Sequence, residues 1–183
     1  MKAQFIDLHI HPAMKPLGRS FDRNPGVNNP NRNGKDSLWD YDPPTLTDKA
    51  INIATSLTKF RQSDFTSLAW GGAEIVFVSL CALEKSFVMT KMGTKLPGDI
   101  VGNLVTGLGK KRIDYVQKMT DYFTDLELEY NFYKQLDGHK IKIDGTWHQY
   151  KIISSFREIE ESRENGINTI YVIFTIEGAH VFN

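Results

Sequence analysis

An alternating pattern of apolar and polar residues lies close to the start of the chain, from residue 5 to residue 11. Because successive side chains of a strand point to opposite faces, Asp7, His9 and His11 are predicted to share one face. Pro12 ends this strand, which is predicted over residues 3–11. The opposite face carries an apolar row, formed by Ile6, Leu8 and Ile10.

Two further apolar runs predict strands that are buried on both faces. The first covers residues 74–83, and the second covers residues 169–176 and ends at Glu177. Helices are predicted from Thr45 or Thr47 to about residue 62, and from residue 110 to about residue 136. Three buried strands separated by helical crossovers predict a parallel α/β architecture.

The remaining segments are more polar. Residues 12–44 are rich in Asn, Pro and Gly and predict a long loop on the active-site side. Trp39 and Tyr41 could anchor this loop over a pocket, although aromatic residues in a loop more often only pack it against the body. Asp144-Gly145 predicts a hairpin over residues 140–153, which we interpret as part of an inserted helical and hairpin segment. A capping box at residues 155–158 predicts a short helix that ends near Gly166. Residues 84–109 predict no single element.

Composition narrows the classes of partner. Lys and Arg together number 22, as do Asp and Glu, so the formal net charge is zero. This balance gives no reason to expect binding to nucleic acid or to an anionic membrane. The single cysteine, Cys81, cannot form an internal disulfide, and the start of the chain has no apolar leader segment. We therefore expect a cytoplasmic protein.

The strand ends carry the candidate chemistry. Neutral imidazole is a common metal ligand, and the spacing of His9 and His11 aims both rings at one point. Glu177 follows an apolar strand, where a carboxylate is costly without a cation to compensate it. In parallel α/β folds, functional groups gather at the carboxyl ends of strands, so these residues predict a metal site. Asp7 is a candidate partner that orients a ligand histidine. The alternatives are ordinary histidines at a strand end and a glutamate that emerges into solvent.

Two stretches of the chain resemble a known family. Asp7-Leu8-His9-Ile10-His11 resembles the His-x-His signature on the first strand of the amidohydrolase superfamily of metal-dependent hydrolases. The run Ile176-Glu177-Gly178-Ala179-His180 resembles the Glu-Gly-Gly-His-like run of the membrane (renal) dipeptidase family. Residues 69–79 are similar to that family's glycine-led second strand. His11 stands where dipeptidases usually carry an aspartate, which moves the chain toward the wider superfamily.

The resemblance implies a (β/α)8 barrel of the TIM type with a zinc centre of two ions. His9 and His11 would bind the more buried ion, and Glu177 would bridge both. The nucleophile would be a metal-bound hydroxide that attacks the carbonyl of a dipeptide or another small amide. His180 matches the histidine of the motif, and a substrate-binding role is an expectation for it. Family members are often dimers, so a homodimer is a further expectation.

A barrel of this type usually takes about 250 residues, whereas the chain has 183. We therefore expect residues 1–183 to form a single incomplete hydrolase barrel domain, the N-terminal part of a longer hydrolase. Such a chain would be inactive alone, because the family takes two further histidines and an aspartate from later strands. Two alternatives stay open: a phosphoesterase of the polymerase-and-histidinol-phosphatase type, which also opens with His-x-His, and a non-catalytic scaffold that keeps the motif.

Overall fold

The computed structural model describes residues 4–55, 63–88 and 107–182. Their strands are β1 (Phe5–Ile10), β2 (Ala73–Leu80), β3 (Ile141–Ile143), β4 (Thr146–Ile152) and β5 (Ile167–Ile176). Their α-helices are α1 (Met14–Ser20), α2 (Leu46–Thr55), α3 (Phe65–Gly71), α4 (Lys85–Val88), α5 (Lys110–Lys118), α6 (Tyr122–Lys134) and α7 (Arg157–Glu161). A short 3-10 helix, Ala179–Phe182, follows β5.

The strands form one five-stranded sheet in the order β1-β2-β5-β4-β3. Strands β1, β2, β5 and β4 are parallel, and only β3 runs antiparallel to its neighbour. The predicted α/β class with a largely parallel sheet is therefore confirmed. The predicted hairpin is also present, but it extends the main sheet, because β4 pairs with residues 167–172 of β5.

Both faces of the central strands are covered. Val76 and Val172 belong to the main core, which α1, α3 and α6 complete, whereas the paired Ile75 and Tyr171 pack in a smaller cluster with Ile159 of α7. Alternate residues of β2 and β5 are therefore buried on opposite sides, as expected for interior parallel strands.

Strand β1 departs from the predicted alternation. Ile10 is buried in the main core, but Ile6 and Leu8 are 54% and 71% exposed. The pairing of β1 with β2 is irregular between Asp7 and Ile10, so strict alternation does not hold along the whole strand. The expectation of one buried apolar row on β1 is wrong for its first half.

The segment 12–44 is not a loop throughout, because it contains α1. This helix packs closely: a Cβ atom at Gly18 would collide with the carbonyl oxygen of Leu108. Trp39 is fully buried and stacks on Tyr150, so it holds the segment against the body as predicted. Tyr41 is half-exposed and meets the ring of Trp70 edge to face.

Helix α2 begins where the sequence predicts. The Thr45 hydroxyl accepts from the backbone N–H of Asp48, and the Asp48 carboxylate accepts from the backbone N–H of Thr45. These reciprocal bonds cap the helix. However, Ile53, which the apolar periodicity of this helix would place on a buried face, is 84% exposed. The predicted continuation over residues 56–62 lies outside the described residues, as do residues 89–106 of the segment without a predicted element.

The single helix predicted over residues 110–136 is wrong, because the chain forms α5 and α6 with a break after Lys118. The Asp121 carboxylate accepts from the backbone N–H groups of Phe123 and Thr124 and starts a new helix there. The two helices are joined by a buried bidentate ion pair between Arg112 and Asp125, at 2.5 and 2.8 Å.

The short helix predicted after residue 155 spans only Arg157–Glu161. The Glu158 carboxylate accepts from the backbone N–H of Ser155, which is half of the predicted capping box. Gly166, predicted at the end of this helix, has a φ of 78° and lies instead just before β5.

The substitution Arg112→Leu is expected to lower the free energy of unfolding by about 3–5 kcal/mol, because it leaves the buried Asp125 carboxylate without its partner. The double variant R112L/D125L should recover most of this loss, since it removes both charges of the pair. Lys110→Ala breaks an exposed pair with Asp114 and should change the free energy by less than about 1 kcal/mol. Urea unfolding measures all three, and a loss for R112L no larger than that for K110A would contradict the assignment.

Candidate metal centre

The pairing of three parallel strands determines where the candidate ligands lie. Strand β2 lies between β1 and β5 in the sheet, so the carboxyl ends of β1 and β5 flank the end of β2. His9 belongs to the end of β1, and His11 follows directly after it. Glu177 follows β5 directly, and its backbone N–H donates to the carbonyl of Leu80 at 2.9 Å. The ladder between β2 and β5 thus extends to Glu177.

The side chains of His9, His11 and Glu177 converge on one point. The Oε2 atom of Glu177 lies 3.0 Å from Nε2 of His11 and 3.4 Å from Nε2 of His9. The two Nε2 atoms are 3.1 Å apart. Among the described residues, these three form the group of His, Cys, Asp or Glu side chains that could hold a metal ion.

The hydrogen bond between Nδ1 of His11 and a backbone carbonyl determines whether Nε2 can act as a metal ligand. Nδ1 lies 2.9 Å from the backbone carbonyl oxygen of Ser79. A carbonyl can only accept, so Nδ1 carries the proton and a neutral ring presents a lone pair at Nε2. That lone pair faces the carboxylate oxygen of Glu177 at 3.0 Å. Two acceptors at this distance need a cation between them, either a proton or a metal ion.

The spacing of the three atoms fits a zinc-sized ion. Ligand atoms placed tetrahedrally at about 2.0–2.2 Å from zinc lie about 3.3–3.6 Å from one another. The distances between the candidate ligand atoms are 3.0, 3.1 and 3.4 Å, so small side-chain movements would produce this geometry. The side chains of His9 and Glu177 are 58% and 50% exposed, so the site faces solvent. Three protein ligands and an open side are the arrangement of catalytic zinc sites.

Asp7 contacts the main chain of the site. Its Oδ1 atom accepts from the backbone N–H of His9 at 3.2 Å. The ring of His11 is oriented instead by the Ser79 carbonyl, which the sequence interpretation did not consider. The expected role of Asp7 as the partner of a ligand imidazole stays a prediction.

His180 lies in the 3-10 helix after β5. Its Nε2 atom is 3.0 Å from the carbonyl oxygen of Ala82, and its Nδ1 atom is 3.4 Å from a carboxylate oxygen of Glu84. Its ring meets Tyr122 edge to face. Gly178 permits this return of the chain, because it has a φ of 90° and a Cβ atom there would collide with the His180 ring. The structure thus gives His180 local partners, and its substrate-binding role stays a prediction.

A buried glutamate that sequence reasoning missed lies next to this site. Glu129 of α6 accepts the backbone N–H of Cys81 through Oε2 at 2.8 Å. Burial raises the pKa of its carboxyl to about 8, although the Cys81 N–H and the Arg112 charge oppose the shift. The sequence does contain an indication of a polar site on this helix. Asp125 and Glu129 are four residues apart, so both carboxylates lie on one face of a helix that also carries an apolar stripe.

Glu129 and His11 line the same small cavity. The space in it that a water-sized sphere can reach is about 10 Å³, about the least that one water molecule needs, and Cys81 and Arg112 also line it. Burial raises the pKa of the Cys81 thiol to about 11, with further increases from Glu129 and Glu177. Cys81 is not one of the three side chains whose donor atoms converge on the candidate metal position.

Comparisons of the chain with protein-family models, with curated proteins and with solved structures found no match. The resemblance to the dipeptidase family therefore stays a prediction that rests on the residues themselves. Within the described ranges, no helix has both the length and the apolar character needed to cross a membrane.

The variant Glu129→Gln is expected to weaken the dependence of stability on pH. The carboxyl pKa is about 8 in the folded protein and about 4.3 in an unfolded chain, so the folded state binds more protons between these values. The wild-type free energy of unfolding should therefore fall as the pH rises through this window, by at most about 1.4 kcal/mol per pH unit.

Urea unfolding at several pH values within the window measures this slope. Glu127→Gln, at an exposed position of the same helix, is the matched control and should keep the wild-type slope. An E129Q slope equal to that of the wild type would contradict the prediction.

Proposed function

We propose that this protein is a metal-dependent hydrolase, similar to dipeptidases of the amidohydrolase superfamily, with zinc as its ion. His9, His11 and Glu177 would hold one divalent ion. The observation that carries the proposal is the convergence of two imidazole nitrogens and a carboxylate oxygen within 3.4 Å of one another at the ends of parallel strands. A set of nitrogen and oxygen donors suits zinc, and His₂Glu is a ligand set known from catalytic zinc sites.

A zinc ion bound there would supply a water nucleophile at neutral pH and polarise the carbonyl of the substrate. The residues of the chain then have separate tasks. The Ser79 carbonyl orients the His11 ring so that Nε2 faces Oε2 of Glu177, the position where an ion would be held. Glu177 faces both histidines through Oε2, so its Oε1 atom would be available to a second ion or as a proton acceptor. The exposure of His9 and Glu177 gives a small substrate access to this side.

We also propose that the sheet is part of a (β/α)8 barrel. Strand β4 pairs only with the first part of β5, through residue 172. Within the described residues, no strand pairs with residues 173–176 of β5 on the edge that β4 occupies. On the opposite edge of β5, β2 pairs as far as Ile176. A further barrel strand would hydrogen-bond to this free edge, beside Glu177.

The metal site is tested by titrating the protein with Co²⁺, whose visible absorption reports the ligands. The variants His11→Ala and Glu177→Gln each remove one proposed ligand, so affinity should fall at least about tenfold. The matched control is His139→Ala, which removes an exposed histidine outside the site and should leave the affinity unchanged. Equal Co²⁺ affinity in H11A, E177Q and the wild type would refute the site.

The class of substrate is tested with the native full-length protein loaded with zinc, supplied in parallel with dipeptides and with phosphate monoesters. We expect hydrolysis of the dipeptides, abolished by E177Q. Turnover of the monoesters alone, lost in E177Q, would favour the phosphoesterase alternative. Turnover of neither substrate class by a protein that binds zinc at this site would favour the non-catalytic scaffold.

A further inference from the structure

Residues 79–82, at the end of β2, contact His11, Glu177 and His180 through their backbone carbonyl groups. The carbonyl of Ser79 accepts from the ring of His11 at 2.9 Å. The carbonyl of Leu80 accepts from the backbone N–H of Glu177 at 2.9 Å. The carbonyl of Ala82 lies 3.0 Å from Nε2 of His180. The position of these peptide groups therefore determines where the candidate ligands stand.

The backbone N–H of Cys81, the remaining residue of this segment, is bound by a side chain of a helix. Strand β2 ends at Leu80, and the backbone N–H of Cys81 donates to Oε2 of Glu129 at 2.8 Å. Glu129 is 48 residues away in the sequence and belongs to α6. Because the peptide bond is planar, holding the Cys81 N–H also orients the carbonyl of Leu80, which belongs to the same peptide unit and accepts from Glu177. The Ser79 carbonyl that accepts from His11 belongs to the preceding peptide unit, which is joined to this one at the Cα atom of Leu80.

Glu129 is itself held in place by its surroundings. The residue is only 5% exposed, and on the same helix Asp125 forms the buried ion pair with Arg112. Arg112 is flanked by the rings of Phe21 and Tyr115, whose centroids are 5.2 and 5.3 Å away. A side chain confined in this way can transmit the position of α6 to the end of β2.

We propose that Glu129 is a positioning residue of the metal centre, which acts through the Cys81 N–H on the peptide groups that hold His11 and Glu177. It does not touch the proposed ion. This inference rests on the proposed function for its metal, but its geometric content concerns the His11 ring and can be measured without one.

Three variants separate this role from simple stability. Glu129→Gln keeps a side-chain oxygen that can accept the Cys81 N–H, whereas Glu129→Leu has a similar size and no acceptor. Leu126→Ala is the control, because Leu126 is buried in the core on the same helix and its loss destabilises without removing the bond. Each variant is titrated with Co²⁺, and the tautomer of His11 is read from its imidazole ¹⁵N shifts without metal.

We expect E129Q to keep the Co²⁺ affinity within about threefold, with the wild-type absorption spectrum. E129L should bind at least about tenfold more weakly, with a shifted spectrum and a lower population of the Nδ1–H tautomer of His11. L126A should keep both the spectrum and the tautomer. If E129L matches L126A in both readouts, the proposal is overturned.

Two further outcomes are decisive. If E129L does not fold, Glu129→Asp replaces it, since its shorter side chain withdraws the oxygen from the Cys81 N–H. An E129D protein with wild-type spectrum and tautomer would overturn the proposal, and altered values would support it. If the wild type binds no Co²⁺, the proposed metal function fails. The tautomer of His11 in E129L then decides the positioning role alone.

Discussion

The candidate site depends on the register of three parallel strands. Residues 75–80 of β2 pair one to one with residues 171–176 of β5, and this ladder places Glu177 beside the end of β2. On the other edge of β2, β1 brings His9 and His11 to the same end. Because side chains alternate between faces, a slip of one residue between β2 and β5 would turn Glu177 away from the histidines. The burial of alternate residues on both faces of β2 and β5 opposes such a slip.

The elements that position the ligands could be predicted from the sequence because their apolar runs are long and their ends are marked. The strands at residues 74–83 and 169–176 were recognisable by continuous apolarity, and parallel topology then placed His9, His11 and Glu177 at a common edge. Helix α1 could not be recognised in this way, because its sequence contains Pro16 and Gly18, residues typical of turns. Its stability comes instead from packing against distant residues such as Leu108.

Other features depend on contacts that periodicity does not encode. The stripe of apolar residues over α5 and α6 continues through the break after Lys118, so only the local cap at Asp121 distinguishes two helices from one. The spacing of Asp125 and Glu129 indicates that both carboxylates share one helix face, but the partner of Glu129, the backbone N–H of Cys81, has no sequence signature. The irregular pairing of β1 likewise allows Ile10 to enter the core while Ile6 and Leu8 stay exposed. The alternation of side chains along β1 predicted that His9 and His11 point in the same direction, but it did not predict which apolar residues of the strand are buried.

The charge around the site bears on which ligands could take part. Cys81 lies beside His11 in the small cavity, and a thiolate there would be a strong zinc ligand. Burial and the neighbouring Glu129 and Glu177 carboxyls raise the pKa of this thiol to about 11, and Cys81 is not among the side chains whose donor atoms converge. The available donors are then two imidazoles and one carboxylate, and His9 and Glu177 are half-exposed. Structural zinc sites are closed by four protein ligands, often thiolates, whereas catalytic sites keep a position open for water or substrate. The set of only three converging protein donors among the described residues and the exposed side of the cluster therefore support a catalytic over a structural role for the proposed ion.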